Sequence, residues 1–210
     1  MSNFDARYPP QAEADVARLV LENPLAWIVS ANAAAWRATP LPLRPEAPES
    51  GDPIAAFIGH FARSNPHVEL LRQNPRAVVL FMGVNGYVSP SWMHDRTQAP
   101  TWNYASVQYL VDIEFTETDP ARDAALGDLT AAMESGRPRG WQPAEMGARY
   151  ETLARRIAAF RATVLERRAR FKLGQDERED VYPDILEGLG EEGGELRDWM
   201  QSANPTRTKR

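Results

Sequence analysis

The sequence predicts a mainly β fold with attached helices (α+β), an antiparallel barrel and not a parallel α/β sheet. Three observations carry that expectation. Stretches rich in β-forming residues lie almost entirely before residue 117, helical periodicity lies mostly after Pro120, and no linker splits the 210 residues. A chain of this length can bury a sizeable core as one domain. The expected organisation is a single domain over 1–190, then a C-terminal helix and a basic tail over 191–210 that is expected to be disordered.

The elements follow in order. In "QAEADVARLVLE" (11–22), Val16, Leu19 and Val20 share one helical face, and Asn23-Pro24 stops the helix. "LAWIVSA" (25–31) is a short apolar strand, and "WRATPLPL" (36–43) is extended, confined by its prolines to an edge or a bulge. Trp27 and Trp36 are expected in the core, as aromatic rings in strands usually are. A loop over 45–53 leads to a buried strand over 54–62. Asn65 before Pro66 reads as a helix start, with Val68, Leu70 and Leu71 as its buried face and Asn74-Pro75 as its end. "RAVVLFMG" (76–83) and "GYVS" (86–89) are expected as two strands of a hairpin turning at Asn85-Gly86. "YASVQYLVDIEFTE" (104–117) alternates long enough for a central antiparallel strand. Ala125, Leu126, Leu129 and Met133 then repeat helically, and a second helical stretch begins at Ala144. Its end is open: periodicity can carry it to Leu173, whereas "FRATVLE" (160–166) also fits a strand. "VYPDILEGLG" and "ELRDWMQ" read as short C-terminal helices.

Composition removes several chemistries. The absence of cysteine excludes disulfides, thiolate catalysis, iron–sulfur clusters and Cys-based zinc sites. His60, His67 and His94 form no helical i, i+4 pair; His94-Asp95 reads as a solvated turn, and no metal is expected. No apolar run approaches the roughly 20 residues that cross a bilayer, and "MSNFDARYPP" has neither the basic nor the apolar region of a secretory signal. The expected location is the cytoplasm, with no membrane partner. A net charge of −5 opposes broad attraction to a phosphate backbone. Basic residues do concentrate between 155 and 172, where Arg155, Arg156, Arg161, Arg167, Arg168, Arg170 and Lys172 face one acid, Glu166. Such a cluster is usually a solvated face. Gly-rich dinucleotide and phosphate loops, the G-x-S-x-G elbow and H-E-x-x-H are all missing.

Two stretches suggest a ligand. In "GHFARSNPHVELL", Arg63 offers a planar fork suited to phosphate, Ser64 a hydroxyl and Asn65 an amide, beside a helix N-terminus. The plainer reading is that Asn65 caps the helix and Arg63 pairs with a surface carboxylate. In "YVSPSWMHDRTQAPTWNY" (87–104), Tyr87, Trp92, Trp102 and Tyr104 offer flat apolar surface, and Ser89, Ser91, Thr101 and Asn103 offer hydrogen bonds to a heterocycle's edge. Core packing is the alternative, although Pro90 and Pro100 bracket a loop that packing explains less readily.

"GHFARSNPH", "YVSPSW", "APTWNY" and "FKLGQDE", in that order, resemble the PaiB-type proteins, the FMN-binding negative transcriptional regulators, and so does the opening "RYPPQAEADVARLVLENPLAWIVS". The resemblance runs from about residue 4 to 190. It implies a six-stranded antiparallel split β-barrel of the FMN-binding type, a homodimer with flavin sites at the subunit interface, and a strand over 160–166. Carried over motif by motif, it implies FMN contacts from Arg63, Ser64, Asn65, Ser89, Trp92, Trp102, Asn103, Lys172 and Gln175. The chain departs from the pattern at Gly174-Gln175-Asp176, where many members have Ser-Gln-Asn, and at Pro40, where a histidine is common. The first change weakens an expected polar contact near the ligand, and the second removes any role for that histidine.

Three functions are compatible with this reading: a flavin-binding regulator, an FMN-dependent oxidoreductase or flavin reductase, and a flavin-free interaction protein that keeps the fold. No recognition helix stands out, and the acidic charge argues against direct DNA binding. No catalytic residue is identifiable, because in flavin enzymes the cofactor carries the redox chemistry.

Overall fold

The computed structural model describes residues 7–33, 35–46, 52–116 and 118–207. Parts of the N-terminal stretch read as lacking a secretory signal, of the 45–53 loop and of the basic tail lie outside these residues. The described chain runs α1 (Glu13–Glu22), β1 (Leu25–Ala31), β2 (Trp36–Pro42), β3 (Arg44–Pro45), β4 (Ala56–Ala62), α2 (Pro66–Gln73), β5 (Arg76–Val88), β6 (Thr101–Phe115), α3 (Asp119–Glu134), α4 (Arg149–Ala154), β7 (Ile157–Lys172), α5 (Tyr182–Gly188) and α6 (Gly194–Ala203). Short 3-10 turns occupy Pro90–Trp92 and Pro143–Met146. Among the described residues, no helix is long and apolar enough to cross a membrane.

The seven strands form one sheet in the order β2-β1-β5-β6-β7-β4-β3. Six were expected, and the seventh has a local cause. Leu43 alone separates β2 from β3, and these two stand at opposite ends of the strand order. β2 pairs antiparallel with β1, from Leu25↔Pro42 to Ala31↔Trp36, whereas β3 pairs with β4 at Arg44↔Ile58 and Pro45↔Phe57. The stretch 36–45 is therefore one edge segment, broken where the chain changes partner. Pro40, Pro42 and Pro45 have no N–H to offer a ladder, which suits an edge. At this junction the chain comes close to β4: a Cβ on Gly59 would lie 2.5 Å from Leu43 Cδ2 and 2.7 Å from Phe160 Cζ. Glycine is needed there for space.

The chain forms two compact units. The first, Asn23–Phe81 with Gln108–Arg167, contains β1 to β4, α2 to α4 and one portion each of β5, β6 and β7. Rings fill its interior: Phe57 lies 5.3 Å from Phe81 and 4.8 Å from Tyr109, and Phe61 lies 5.2 Å from Phe160. The second unit takes in α1, Met82–Val107 and the chain from Arg168, with α5 and α6. Its core joins Val16, Leu19 and Val20 of α1 to Leu196, Trp199 and Met200 of α6. Phe171 packs 5.8 Å from the Trp199 ring, and the Arg18 guanidinium covers that ring at 4.1 Å.

Two expectations are corrected, and one open alternative is decided in favour of the strand that the resemblance implied. The hairpin at Asn85-Gly86 does not form, and β5 runs unbroken through it. The favoured two-residue turn needs φ > 0 at both positions, and neither residue has it. Gly86 instead makes room for α6, since a Cβ there would sit 2.8 Å from Leu196 Cδ2. Trp27 and Trp36 are outside the core, 49% and 70% exposed. Strand alternation dictates this for Trp27, because Ala26, Ile28 and Ser30 are the inward residues of β1. The helical reading through Leu173 also fails: 157–172 is strand β7, which contains the 160–166 segment. Truncating the centre of the ring cluster, Phe57→Ala, is expected to cost about 3–5 kcal/mol in urea unfolding, whereas Leu165→Ala on the exposed face of β7 should change little.

Candidate functional site

In the first unit, "RSNPH" builds the entry to α2. Asn65 is the N-cap: its Oδ1 accepts from the His67 N–H at 2.9 Å, and Pro66 takes the first helical position. The Val68 amide closes onto the Asn65 carbonyl at 3.0 Å. The helix start thus satisfies its own first donors. Among the described residues, Arg63 does not pair with a carboxylate. Its Nε donates to the Arg155 carbonyl at 3.2 Å and its Nη2 to the Ile157 carbonyl at 3.0 Å, pinning the beginning of β7. Its Nη1 makes no hydrogen bond among the described residues, and the side chain is exposed, as is Ser64.

Behind this entry lies a polar chain that sequence reasoning missed. His67 is fully buried, with Nε2 2.8 Å from Ser30 Oγ of β1 and Nδ1 2.9 Å from Thr39 Oγ1 of β2. Asn65 Nδ2 reaches the same Thr39 hydroxyl at 3.5 Å. Burial, with a smaller contribution from Arg37, pushes the His67 imidazole below its ordinary pKa. The neutral ring can donate from one nitrogen and accept at the other, which suits two hydroxyl partners. The one available signal was a histidine directly after a capping Asn-Pro, on a helix whose neighbouring residues are apolar.

In the second unit, a different set of residues converges. The Lys172 ammonium donates to Thr101 Oγ1 at 2.6 Å, Asn103 Oδ1 at 3.3 Å and the Trp102 carbonyl at 3.4 Å. Its three protons are matched by three neutral oxygens. Among the described residues, no carboxylate lies within ion-pair distance, and Glu177 acts on it only through a longer-range Coulomb attraction. Trp102 is 52% exposed, and its ring is preset by an Nε1–H bond to Asn85 Oδ1 at 3.2 Å. The Tyr87 ring, 48% exposed, lies 6.1 Å away. The two rings are tilted 53° to each other, so each offers its own open face. Asn85, read from the sequence as a turn residue, is what holds the Trp102 ring in place.

The other expected contacts have structural work. Asn103 is fully buried, with Nδ2 3.5 Å from Met200 Sδ. Gln175 closes the end of β7 by accepting from the Leu173 amide and donating to the Phe171 carbonyl, both at 2.7 Å. Ser89 caps the 3-10 turn through the Ser91 amide at 3.1 Å. Trp92 packs so closely on Gly188 that a Cβ there would lie 2.4 Å from its Cγ. Gly174 has φ +82, and a Cβ would meet Met200 Cε at 2.9 Å. The departure from serine at this position matches a backbone conformation that favours glycine. One member of the basic cluster of 155–172 is taken by an acid distant in sequence: Arg161 is held by both oxygens of Glu46 at 2.6 and 2.7 Å.

Two outcomes follow at the α2 entry. Asn65→Ala should cost about 1 kcal/mol of stability, with or without any ligand. The buried His67 titrates below its unfolded value of about 6.5, so its contribution is present above that pH and is lost as pH falls through the lowered folded value. Urea midpoints between pH 7.5 and pH 5 should fall in the native chain and fall less in His67→Gln.

Comparison with known proteins places this geometry. Residues 4–166 match the family described as "Putative FMN-binding domain". The chain is 28% identical over 163 residues to protease synthase and sporulation protein PAI 2 of Bacillus subtilis, covering 69% of this chain and 76% of that one. Among solved structures, it is similar to the FAD and heme binding protein of Mycobacterium smegmatis, with TM-score 0.57 and 17% identity over 85% of this chain and 79% of the other. It is also similar to the flavocytochrome Anf3 of Azotobacter vinelandii, with TM-score 0.57 and 16% identity over 83% and 73%. At such identities the structural likeness shows the fold, a split barrel, and the sequence match shows the rest: the chain belongs to the FMN-binding domain family that includes residues 4–166 in its pattern.

Proposed function

We propose that this protein binds FMN and acts as a flavin-dependent regulatory protein of the PaiB type. The observation that carries the flavin reading is the pair of exposed rings Trp102 and Tyr87, Trp102 preset by Asn85, in the same unit as a lysine hydrogen-bonded to three neutral oxygens. An exposed aromatic face suits an isoalloxazine ring, and an oriented ammonium suits an anionic or electron-rich group. The α2 entry offers a second set, with the exposed Arg63 and Ser64 suited to a phosphate. The residues therefore fit the group. Arg63, Ser64, Asn65, Ser89, Trp92, Trp102, Asn103, Lys172 and Gln175 remain the proposed site residues. Asn103, Gln175 and Ser89 act mainly by holding their neighbours. Bound FMN would supply reversible one- and two-electron chemistry; the chain supplies binding, orientation and charge.

A flavin reductase or oxidase is the second reading, supported by the flavin-binding proteins that share the fold. Turnover of reduced nicotinamide with FMN present separates the two readings. Regulation is assigned to a partner or to the flavin and not to direct DNA contact, in keeping with the net charge of −5. The protein is proposed to work in the cytoplasm.

FMN titration should show tighter binding than riboflavin, and Arg63→Ala should weaken FMN by about 1.5–3 kcal/mol, with Lys172→Ala weakening it less. Equal affinity for FMN and riboflavin would remove the phosphate assignment. We further propose a homodimer, because Leu25 and Trp27 leave the outer face of β1 apolar and open. Light scattering at low micromolar concentration should give twice 23.5 kDa; a monomer would refute it.

A further inference from the structure

We propose that residues 89–100 form a strap whose hold on α5 is set by the protonation of His94. The strap joins β5 to β6 and carries Ser89 and Trp92. Two polar links tie it down within the second unit. At the first, Asp184 Oδ2 accepts from the His94 backbone N–H at 2.8 Å and lies 2.6 Å from His94 Nδ1, while His94 Nε2 lies 3.6 Å from Asp180 Oδ2. At the second, Arg178 Nη1 meets Asp95 Oδ2 at 2.5 Å and the same guanidinium also holds Asp180. Asp95 organises the strap from within, since its Oδ1 accepts from the Thr97 amide and hydroxyl at 3.0 and 2.6 Å and its Oδ2 from Gln98 Nε2 at 2.8 Å. Apolar contact at Trp92 on Gly188 completes the attachment.

The charges show which link can switch. The groups around His94 are Asp95 on the strap, Arg178 and Asp180 before α5, and Asp184 on α5. Three carboxylates face one guanidinium, so a neutral imidazole leaves two negative charges in excess and an imidazolium leaves one. Protonation therefore tightens the cluster. The hydrogen bond to Asp184 is the main cause that raises the His94 pKa above its ordinary value, and Asp184 is correspondingly lowered. For a group raised on folding, the stabilisation is complete below the unfolded value of about 6.5 and is lost as pH rises through the folded value. The Arg178–Asp95 link does not titrate in this range. The strap is thus held more tightly in mildly acidic solution than in alkaline solution, where the His94 backbone bond to Asp184 and the Arg178–Asp95 link remain. Because Trp92 rides on it, the same change alters how firmly that ring is seated. This inference stands independently of whether FMN binds.

Amide hydrogen exchange on the intact protein tests it. After correction for intrinsic rates, protection of the 93–99 amides should fall several-fold between pH 6.0 and pH 8.5, while amides of β6 in the same samples stay constant. His94→Gln should abolish the pH dependence and hold the strap at its alkaline level. Asp184→Asn should lower the His94 midpoint seen by NMR at the ring Cε1 proton. Unchanged protection of 93–99 across this range, or a pH dependence that survives in His94→Gln, would overturn the proposal.

Discussion

A barrel must fill its own interior, and period-two alternation decides which residues do so. In the first unit, Ala26 and Ile28 of β1, Phe57 and Phe61 of β4, and Tyr109, Val111 and Ile113 of β6 all turn inward. Each inward residue sends its sequence neighbours outward. Trp27 is consequently exposed however apolar it is, and polar or ionic groups accumulate on the outer face, as in the Arg76–Asp112 pair joining β5 to β6 at 2.6 Å. The exposed aromatic surfaces are the by-product of packing rings inside.

The same constraint makes the few inward polar groups informative. His67 and Ser30 are buried, and each is hydrogen-bonded, as burial of such groups requires. They couple β1 and β2 to the cap of α2, so the exposed Arg63 and Ser64 are presented by a fixed helix entry. In the second unit, Asn103 plays a comparable part. It is buried between Met200 and the Lys172 ammonium, and it fixes a charge that would otherwise swing on a flexible stem.

Much of this was legible in the sequence, where local chemistry decides the outcome. The Asn65 cap, the proline stops and the buried face of α1 follow from short-range rules, and the structure agrees. What was illegible depends on distant partners. Asn85-Gly86 has the composition of a turn, yet Leu196 and Trp102 give those residues other work in a continuous strand. Residues 160–166 have mixed helical and strand character, and pairing with β4 settles them as strand. The arginines near 160 look like one basic surface until Glu46, more than a hundred residues away, takes Arg161. The acceptors of Lys172 were present in the quoted motifs, but no spacing rule joins residues 101–103 to residue 172.

The central claim is that this barrel carries FMN. The most direct measurement is to purify the protein with its natural ligand, record its visible absorbance, denature it and identify what is released by mass. The account predicts flavin absorbance and release of FMN, near one per chain, or uptake of FMN to that ratio if the protein is purified without it. A colourless protein that releases no flavin and takes up none when FMN is added would contradict it.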